Sequence, residues 1–226
     1  MSLRKDGGTG KEGVNNNLHE PWSGEETLRC LAELNEQCLA LLAEQAPRPP
    51  PGTATVLREI AELWGRMDEA SRIRAANCPF LLFDAGFTDP VRWRWAVGPH
   101  VGERPPTAFS TFFTVPLVST VAQQVLSTAW HIVRTQPLGA PLYLGMPAHC
   151  VTAFRACSIR QLTRIAELYG GWLRPRWSGR VRVWRQLLLA ALSGDEPALE
   201  RARMHGVQLL ATEMRALEQV HENAHR

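Results

Sequence analysis

The chain contains almost no lysine and no long apolar run. Lys5 and Lys11 are the only lysines among 25 basic residues, and the other 23 are arginines. The longest apolar runs, at residues 80–83 and 187–192, fall far short of the roughly 20 residues that a membrane-spanning helix needs. Residues 1–17 hold no apolar stretch of the kind found in secretory signals. We therefore expect neither membrane insertion nor secretion.

Cysteine is sparse, and its arrangement argues against disulfides and metals. The five cysteines include no CxxC pair, and an odd number does not make a complete disulfide framework. Cys150 and Cys157 are seven residues apart, which places them on one helix face as small apolar residues. His149 beside them could add a zinc ligand, but zinc prefers a tighter cluster. We expect a reduced, cytoplasmic protein that holds no metal or cofactor.

Catalytic signatures are missing as well. The sequence has neither GxSxG nor HExxH, and its seven histidines are scattered. Asp84 and Asp89 could act as paired carboxylates, but turn and cap positions explain both more simply. We therefore predict no catalytic residue and expect that the protein is not an enzyme.

Helical periodicity is the strongest pattern that the sequence does contain. Apolar residues recur at intervals of three and four, and Ser23 with Glu26 and Ser158 with Gln161 form two capping-box patterns. The pattern predicts an all-α, multi-helix bundle-like fold. Residues 79–83 are predicted to form a buried strand or a buried turn, and 172–177 an extended segment. The predicted helices are one of about 20 residues after Ser23 and others near 53–72, 91–96, 116–134, 147–154, 159–169, 180–192 and 196–222.

Glycine and proline divide the chain into three parts. Residues 1–21 are rich in glycine and asparagine, and we expect a disordered tail there. The glycines and prolines of residues 98–107 mark the best internal boundary. It separates an N-terminal helical region, 22–104, from a C-terminal helical region, 105–226.

The arginines are concentrated in one segment. Residues 155–185 hold eight arginines and a single acid, Glu167, so the segment carries about +7 and the rest of the chain about −4. The arginine content alone fits the base composition of a genome. The planar guanidinium also suits phosphate and carboxylate recognition. Because acids gather near the N-terminus, one end of the molecule could bind an anion that the other end would repel.

Tryptophans interrupt the arginine segment at 172, 177 and 184. Arginine interleaved with aromatic rings is typical of nucleic-acid surfaces, although the tryptophans could equally belong to the core. The order helix, Gly-Gly, link, helix over residues 159–188 is an imperfect match to a helix-turn-helix. On the nucleic-acid interpretation, phosphate contacts would come from Arg174, Arg176, Arg180, Arg182 and Arg185.

The stretch from residue 144 to residue 167 resembles the middle of FlhD, a subunit of the flagellar master transcription regulator. Leu144-Gly145, a short amphipathic helix, and then Gln161-Leu162 and Ala166-Glu167 follow that family's pattern without gaps. Residues 204–207 (Met-His-Gly-Val) are similar to the family's Ile-His-x-Gly-Ile segment. The resemblance implies a regulator that acts through protein assembly and DNA contact.

The same resemblance implies partners and a second set of site residues. The partner would be an FlhC-like subunit, and the chain would form a homo-oligomer. Arg201, Arg203 and His205 would lie on the activating, partner-binding surface. The chain is about twice the length of that family, with an inserted middle.

A second resemblance points to another class of function. The accessory sorting-platform subunit of type III secretion, the SctK class, has a similar length and also shows Leu-Gly followed by an Arg-Cys pair, here Leu144-Gly145 and Arg155 with Cys157. This resemblance implies a structural adaptor that binds a secretion-machine component and no DNA.

Overall fold

A computed structural model describes residues 23–49, 55–98, 112–113 and 118–224. Within these residues the chain forms eleven α-helices and one two-stranded sheet, which confirms the predicted all-α class. The predicted tail, residues 1–21, lies outside the described part. The helices are α1 (Gly24–Gln45), α2 (Thr55–Arg58), α3 (Ala61–Trp64), α4 (Glu69–Ala76), α5 (Pro90–Val97), α6 (Val118–Thr135), α7 (Ala140–Leu144), α8 (Ala148–Arg155), α9 (Ile159–Tyr169), α10 (Val181–Ser193) and α11 (Glu196–Ala224).

Both predicted capping boxes form. At α1, Ser23 Oγ accepts from the Glu26 amide at 3.2 Å, and a Glu26 carboxylate oxygen accepts from the Ser23 amide at 2.7 Å. The same reciprocal pair links Ser158 and Gln161 at the start of α9. Each box satisfies two amides that the first helical turn leaves without a partner, which explains why both helices begin at these residues.

The single helix predicted for residues 53–72 is wrong, because the chain there forms α2, α3 and α4. Asp68 supplies the reason for the last break: its carboxylate accepts from the Ser71 amide at 2.8 Å and caps a new helix. Trp64 Nε1 donates to the Val56 carbonyl at 2.9 Å, which holds α3 back against α2. Asp and Ser favour such local bonds over continued helix.

A short antiparallel ladder joins the two halves of the chain. Strand β1 (Phe83–Asp84) pairs with β2 (Arg174–Pro175), so residues 79–83 end in a buried strand and residues 172–177 contain the predicted extended piece. Helix α6 packs against both α1 and α9, and α10 packs against both α11 and α4. The two predicted helical regions therefore share one core.

Asn35 fixes the loop that leads into β1. The side chain is fully buried on α1, and its amide donates to the carbonyls of Ala76 at 3.1 Å and Phe80 at 2.9 Å. Its oxygen accepts from the Leu82 amide at 2.8 Å. One side chain thus satisfies three main-chain groups between the end of α4 and the start of β1.

No helix among the described residues is long and apolar enough to cross a membrane.

Candidate functional site

Arg176 lies in the protein interior. The residue is 7% exposed; Nε donates to the Leu81 carbonyl at 2.8 Å, and Nη2 donates to the Leu144 carbonyl. Burial lowers the pKa of its guanidinium, and Asp84 and Glu213 oppose that shift. Arg176, predicted to contact DNA phosphate, is thus buried, and its hydrogen bonds join the end of α7 to the segment that precedes β1.

Three of the other predicted phosphate ligands face carboxylates. Arg174 lies 3.8 Å from Asp84, and Arg180 lies 3.6 Å from Glu213. Arg185 is 3.4 Å from Glu62 and also donates to the Glu59 carbonyl at 2.9 Å. A phosphate would have to compete with these carboxylates.

Arg182 is the fifth member of the predicted set. It is exposed on the first turn of α10. Most of the predicted basic surface therefore faces acids that come from distant parts of the sequence. Among the five predicted phosphate ligands, Arg182 is the exposed arginine for which no carboxylate partner is described.

Residues 159–188 do not form a helix-turn-helix. Helix α9 packs on α6, whereas α10 packs on α11 and α4. A 3₁₀ turn at Gly170–Trp172 and strand β2 lie between them. A recognition helix must be held by the helix that precedes it, and here each helix is held by other partners.

The tryptophans of the arginine segment belong to the core. Trp172 and Trp184 are 3% and 1% exposed. The Arg92 guanidinium lies 4.4 Å from the Trp172 ring centre, a cation–π contact inside the protein. Trp177 is half-buried, and its Nε1 donates to a Glu213 carboxylate oxygen at 2.9 Å. These rings are occupied by packing rather than presented for base stacking.

Arginines instead serve repeatedly to satisfy helix ends. Arg74 Nε donates to the Ala191 carbonyl near the end of α10 at 2.7 Å. Arg203 Nη2 donates to the Arg74 carbonyl at 3.3 Å, and Arg134 Nη2 donates to the Arg155 carbonyl at the end of α8 at 3.3 Å. The last carbonyls of a helix lack intrahelical partners and carry partial negative charge. A guanidinium satisfies both needs at once.

The predicted partner-binding residues separate into two environments. Arg201 and His205 line a groove of about 610 Å³ between α10 and α11. Arg203 points inward; its side chain is 10% exposed, and its Nη1 lies 2.6 Å from Glu196 and 3.6 Å from Glu200. Arg203, also predicted to lie on the partner-binding surface, is nearly buried and joins α11 to the end of α4.

The α10/α11 groove is lined by both apolar and polar residues. The alanines at 190, 198 and 202 are small, and Leu189 is 45% exposed. Arg201 and Asp195 supply charges of opposite sign, and Gln186, Ser193 and His205 supply neutral polar groups. Small residues between two helices admit the close approach of a third helix, which is how helix-in-groove recognition works. The sequence analysis did not single out Leu189, which lies within the apolar run of residues 187–192. Its exposure became visible only in the structure.

The remaining candidates have structural roles. Asp84 accepts from the Gly86 and Phe87 amides at 3.0 and 2.9 Å, and Asp89 caps α5, so the predicted turn and cap roles are confirmed. The His149 ring stacks on the His221 ring with centres 4.1 Å apart. Among the described residues there is no group of three or more His, Cys, Asp or Glu side chains placed to hold a metal ion.

All five cysteines are free thiols, and four of them are buried. Burial raises the pKa of Cys78, Cys150 and Cys157 to about 12 and that of Cys38 well above its usual value. These thiols pack as small apolar residues, as predicted for Cys150 and Cys157, although Cys157 follows the end of α8 and does not share a helix face with Cys150.

Comparison with protein-family models, with curated proteins and with solved structures gives no match. The functional interpretation therefore depends on the geometry of the arginines and of the α10/α11 groove.

Proposed function

We propose that the chain is a non-enzymatic structural adaptor of the cytoplasm, of the kind that the SctK-class resemblance implies. It binds a protein partner, a component of a secretion machine, through the α10/α11 groove. It binds no DNA on its own. The groove carries this proposal, because it presents Leu189, Arg201 and His205 together on one surface.

The arginine contacts support an adaptor over a DNA-binding protein. Arg176 donates its hydrogen bonds to main-chain carbonyls. Arg174, Arg180 and Arg185 face carboxylates. A cationic side chain that neutralises a DNA phosphate gains free energy by releasing the counterions condensed on the DNA. A surface whose arginines already have anionic partners gains little from a phosphate.

Site-specific photo-crosslinking in the organism that carries the gene tests the groove. Leu189→p-benzoylphenylalanine places the probe on the groove, and the same substitution at Leu138, which is 96% exposed, is the matched control. We expect one discrete protein adduct from position 189 that position 138 does not give. Ala202→Arg, which fills the groove, should abolish that adduct. Equal adducts at both positions, or an adduct that survives Ala202→Arg, would contradict the proposal.

A second candidate function is the FlhD-like regulator. Arg182, exposed on α10, favours it, since a DNA-binding partner could place that arginine near the duplex. The two candidates differ in the identity of the protein crosslinked at position 189. An FlhC-like DNA-binding protein would support the regulator, and a secretion-machine component would support the adaptor.

A further inference from the structure

An acidic groove lies between α1 and α4, away from the α10/α11 groove. It has a volume of about 400 Å³, and Glu33 and Glu36 on α1 face Glu69 on α4 across it. Ala32 and Ala76 line it, and Ile73 beside them is 55% exposed. Glu36 pairs with Arg72 at 3.1 Å, and Arg29 adds one positive charge to the lining, so Glu33 and Glu69 leave the groove with a small net negative charge.

The opposite combination occurs on the outer face of α9. Arg160 and Arg164 are four residues apart and therefore lie on one helix face. Ile159 beside them is 51% exposed, and Arg155 at the end of α8 is exposed as well. Arg160 and Arg164, which together with Ile159 and Arg155 we call the basic ridge, also line an open depression of about 570 Å³ with Ser158, Gln161 and Thr163. Its one acid, Glu167, lies 3.7 Å from Arg164.

We propose that copies of this chain associate head to tail, with the α9 basic ridge of one copy seated in the α1/α4 acidic groove of the next. Arg160 and Arg164 would pair with Glu33 and Glu69. Ile159 and Ile73 would be removed from water at the same contact. Charge complementarity favours this occupant, because the arginines of the ridge are opposite in charge to the glutamates of the groove. Each surface also carries one exposed isoleucine, and the two could pack together.

One molecule does not bring its own two surfaces together. Helix α6 packs against both α1 and α9 and therefore lies between them. Two different surfaces of each copy are used, so the contact is heterologous and repeats from copy to copy until it closes into a ring or continues as a chain. The proposal does not depend on the adaptor function, because the α10/α11 groove takes no part in it.

Charge reversal with restoration tests the proposal on the full chain. Sedimentation velocity over rising protein concentration, at about 50 mM salt, should show association that weakens at high salt, because exposed charges are screened over about 10 Å at 0.1 M. Glu33→Arg with Glu69→Arg should raise the dissociation constant at least about tenfold, as should Arg160→Glu with Arg164→Glu. The chain carrying all four changes should associate again, because the complementarity returns with its signs exchanged.

A matched control and two contrary results complete the test. Glu218→Arg with Glu222→Arg makes the same charge change on exposed positions of α11 and should leave the association unchanged. If a reversed variant fails to fold by circular dichroism, Glu33→Gln with Glu69→Gln replaces it and should weaken association in the same direction. A monomer at every concentration, or four-fold reversal that does not restore association, would overturn the proposal.

Discussion

The α-carbon of Gly145 lies against the guanidinium of Arg176, so that a β-carbon at Gly145 would stand 2.6 Å from Nη1 of Arg176. Gly145 ends α7 with φ of 57°, in the left-handed region that glycine adopts without strain. The carbonyl of the preceding Leu144 accepts from the same guanidinium. Leu144 thus supplies a hydrogen-bond acceptor, and Gly145 leaves the space, for a buried arginine that lies more than 30 residues further along the chain.

Gly145→Ala should lower the free energy of unfolding by more than left-handed strain alone. That strain costs about 1–2 kcal/mol, and the displaced guanidinium adds an overpacking cost of about 1–3 kcal/mol. Gly194→Ala is the matched control, since Gly194 has φ of 67° and no atom within 4 Å of the added β-carbon. Urea unfolding measures both. Equal losses for the two variants would mean that Arg176 does not occupy this position.

Arg176→Met should destabilise the fold by about 3 kcal/mol, because it leaves the buried Leu81 and Leu144 carbonyls without their donor. Arg182→Met, at an exposed position of α10, should change stability by less than about 0.5 kcal/mol. The comparison is made by urea unfolding at one pH. A stable Arg176→Met variant would show that the buried guanidinium contributes nothing to the fold.

Asn35→Ala should destabilise the protein by about 2–3 kcal/mol. The change removes the partner of three main-chain groups, at Ala76, Phe80 and Leu82, that are buried with it. Gln124→Ala, on the exposed face of α6, is the control and should be nearly neutral. Hydrogen exchange adds a local measurement: the Leu82 amide should lose protection in Asn35→Ala. Unchanged protection there would contradict the assigned hydrogen bond.

The thiols should differ in their reaction with a disulfide reagent at pH 8. Burial raises the pKa of Cys78, Cys150 and Cys157 to about 12, so these groups stay protonated and unreactive at that pH. Cys30 is only partly buried, and its pKa is raised mainly by desolvation, so it should react slowly and first. Cys30→Ser should remove that phase. Unfolding in guanidinium chloride should make all five thiols reactive. Fast reaction of several thiols in the folded chain would contradict the assigned burial.

Periodicity and capping residues predicted most of the helices, because these signals act within a few residues. Ser23 with Glu26 and Ser158 with Gln161 fixed two helix starts in this way. The break at Asp68 was missed, since an N-cap aspartate inside an apolar repeat is locally indistinguishable from a solvent-facing acid.

The fates of the arginines could not be read from the sequence, because their partners are remote. Arg176 bonds to residues 32 and 95 positions away, and Arg203 bonds to Arg74 across 129 positions. Gly206, within the segment that resembles FlhD, has an equally remote reason: an added β-carbon would lie within contact distance of Phe80. Charge density predicted a phosphate surface, whereas the fold gives Arg176 two main-chain carbonyls and gives Arg174, Arg180 and Arg185 carboxylates as partners.

The most direct test of the central claim is a titration of a labelled random DNA duplex with the protein, with fluorescence anisotropy as the readout, at about 50 mM salt. The claim is that Arg174, Arg176, Arg180 and Arg185 have partners within the protein and that the chain by itself does not hold DNA. We predict no saturable binding at micromolar protein. Micromolar binding that weakens steeply with salt, and that disappears in Arg180→Ala with Arg182→Ala, would contradict the claim. It would show that these arginines contact DNA phosphates.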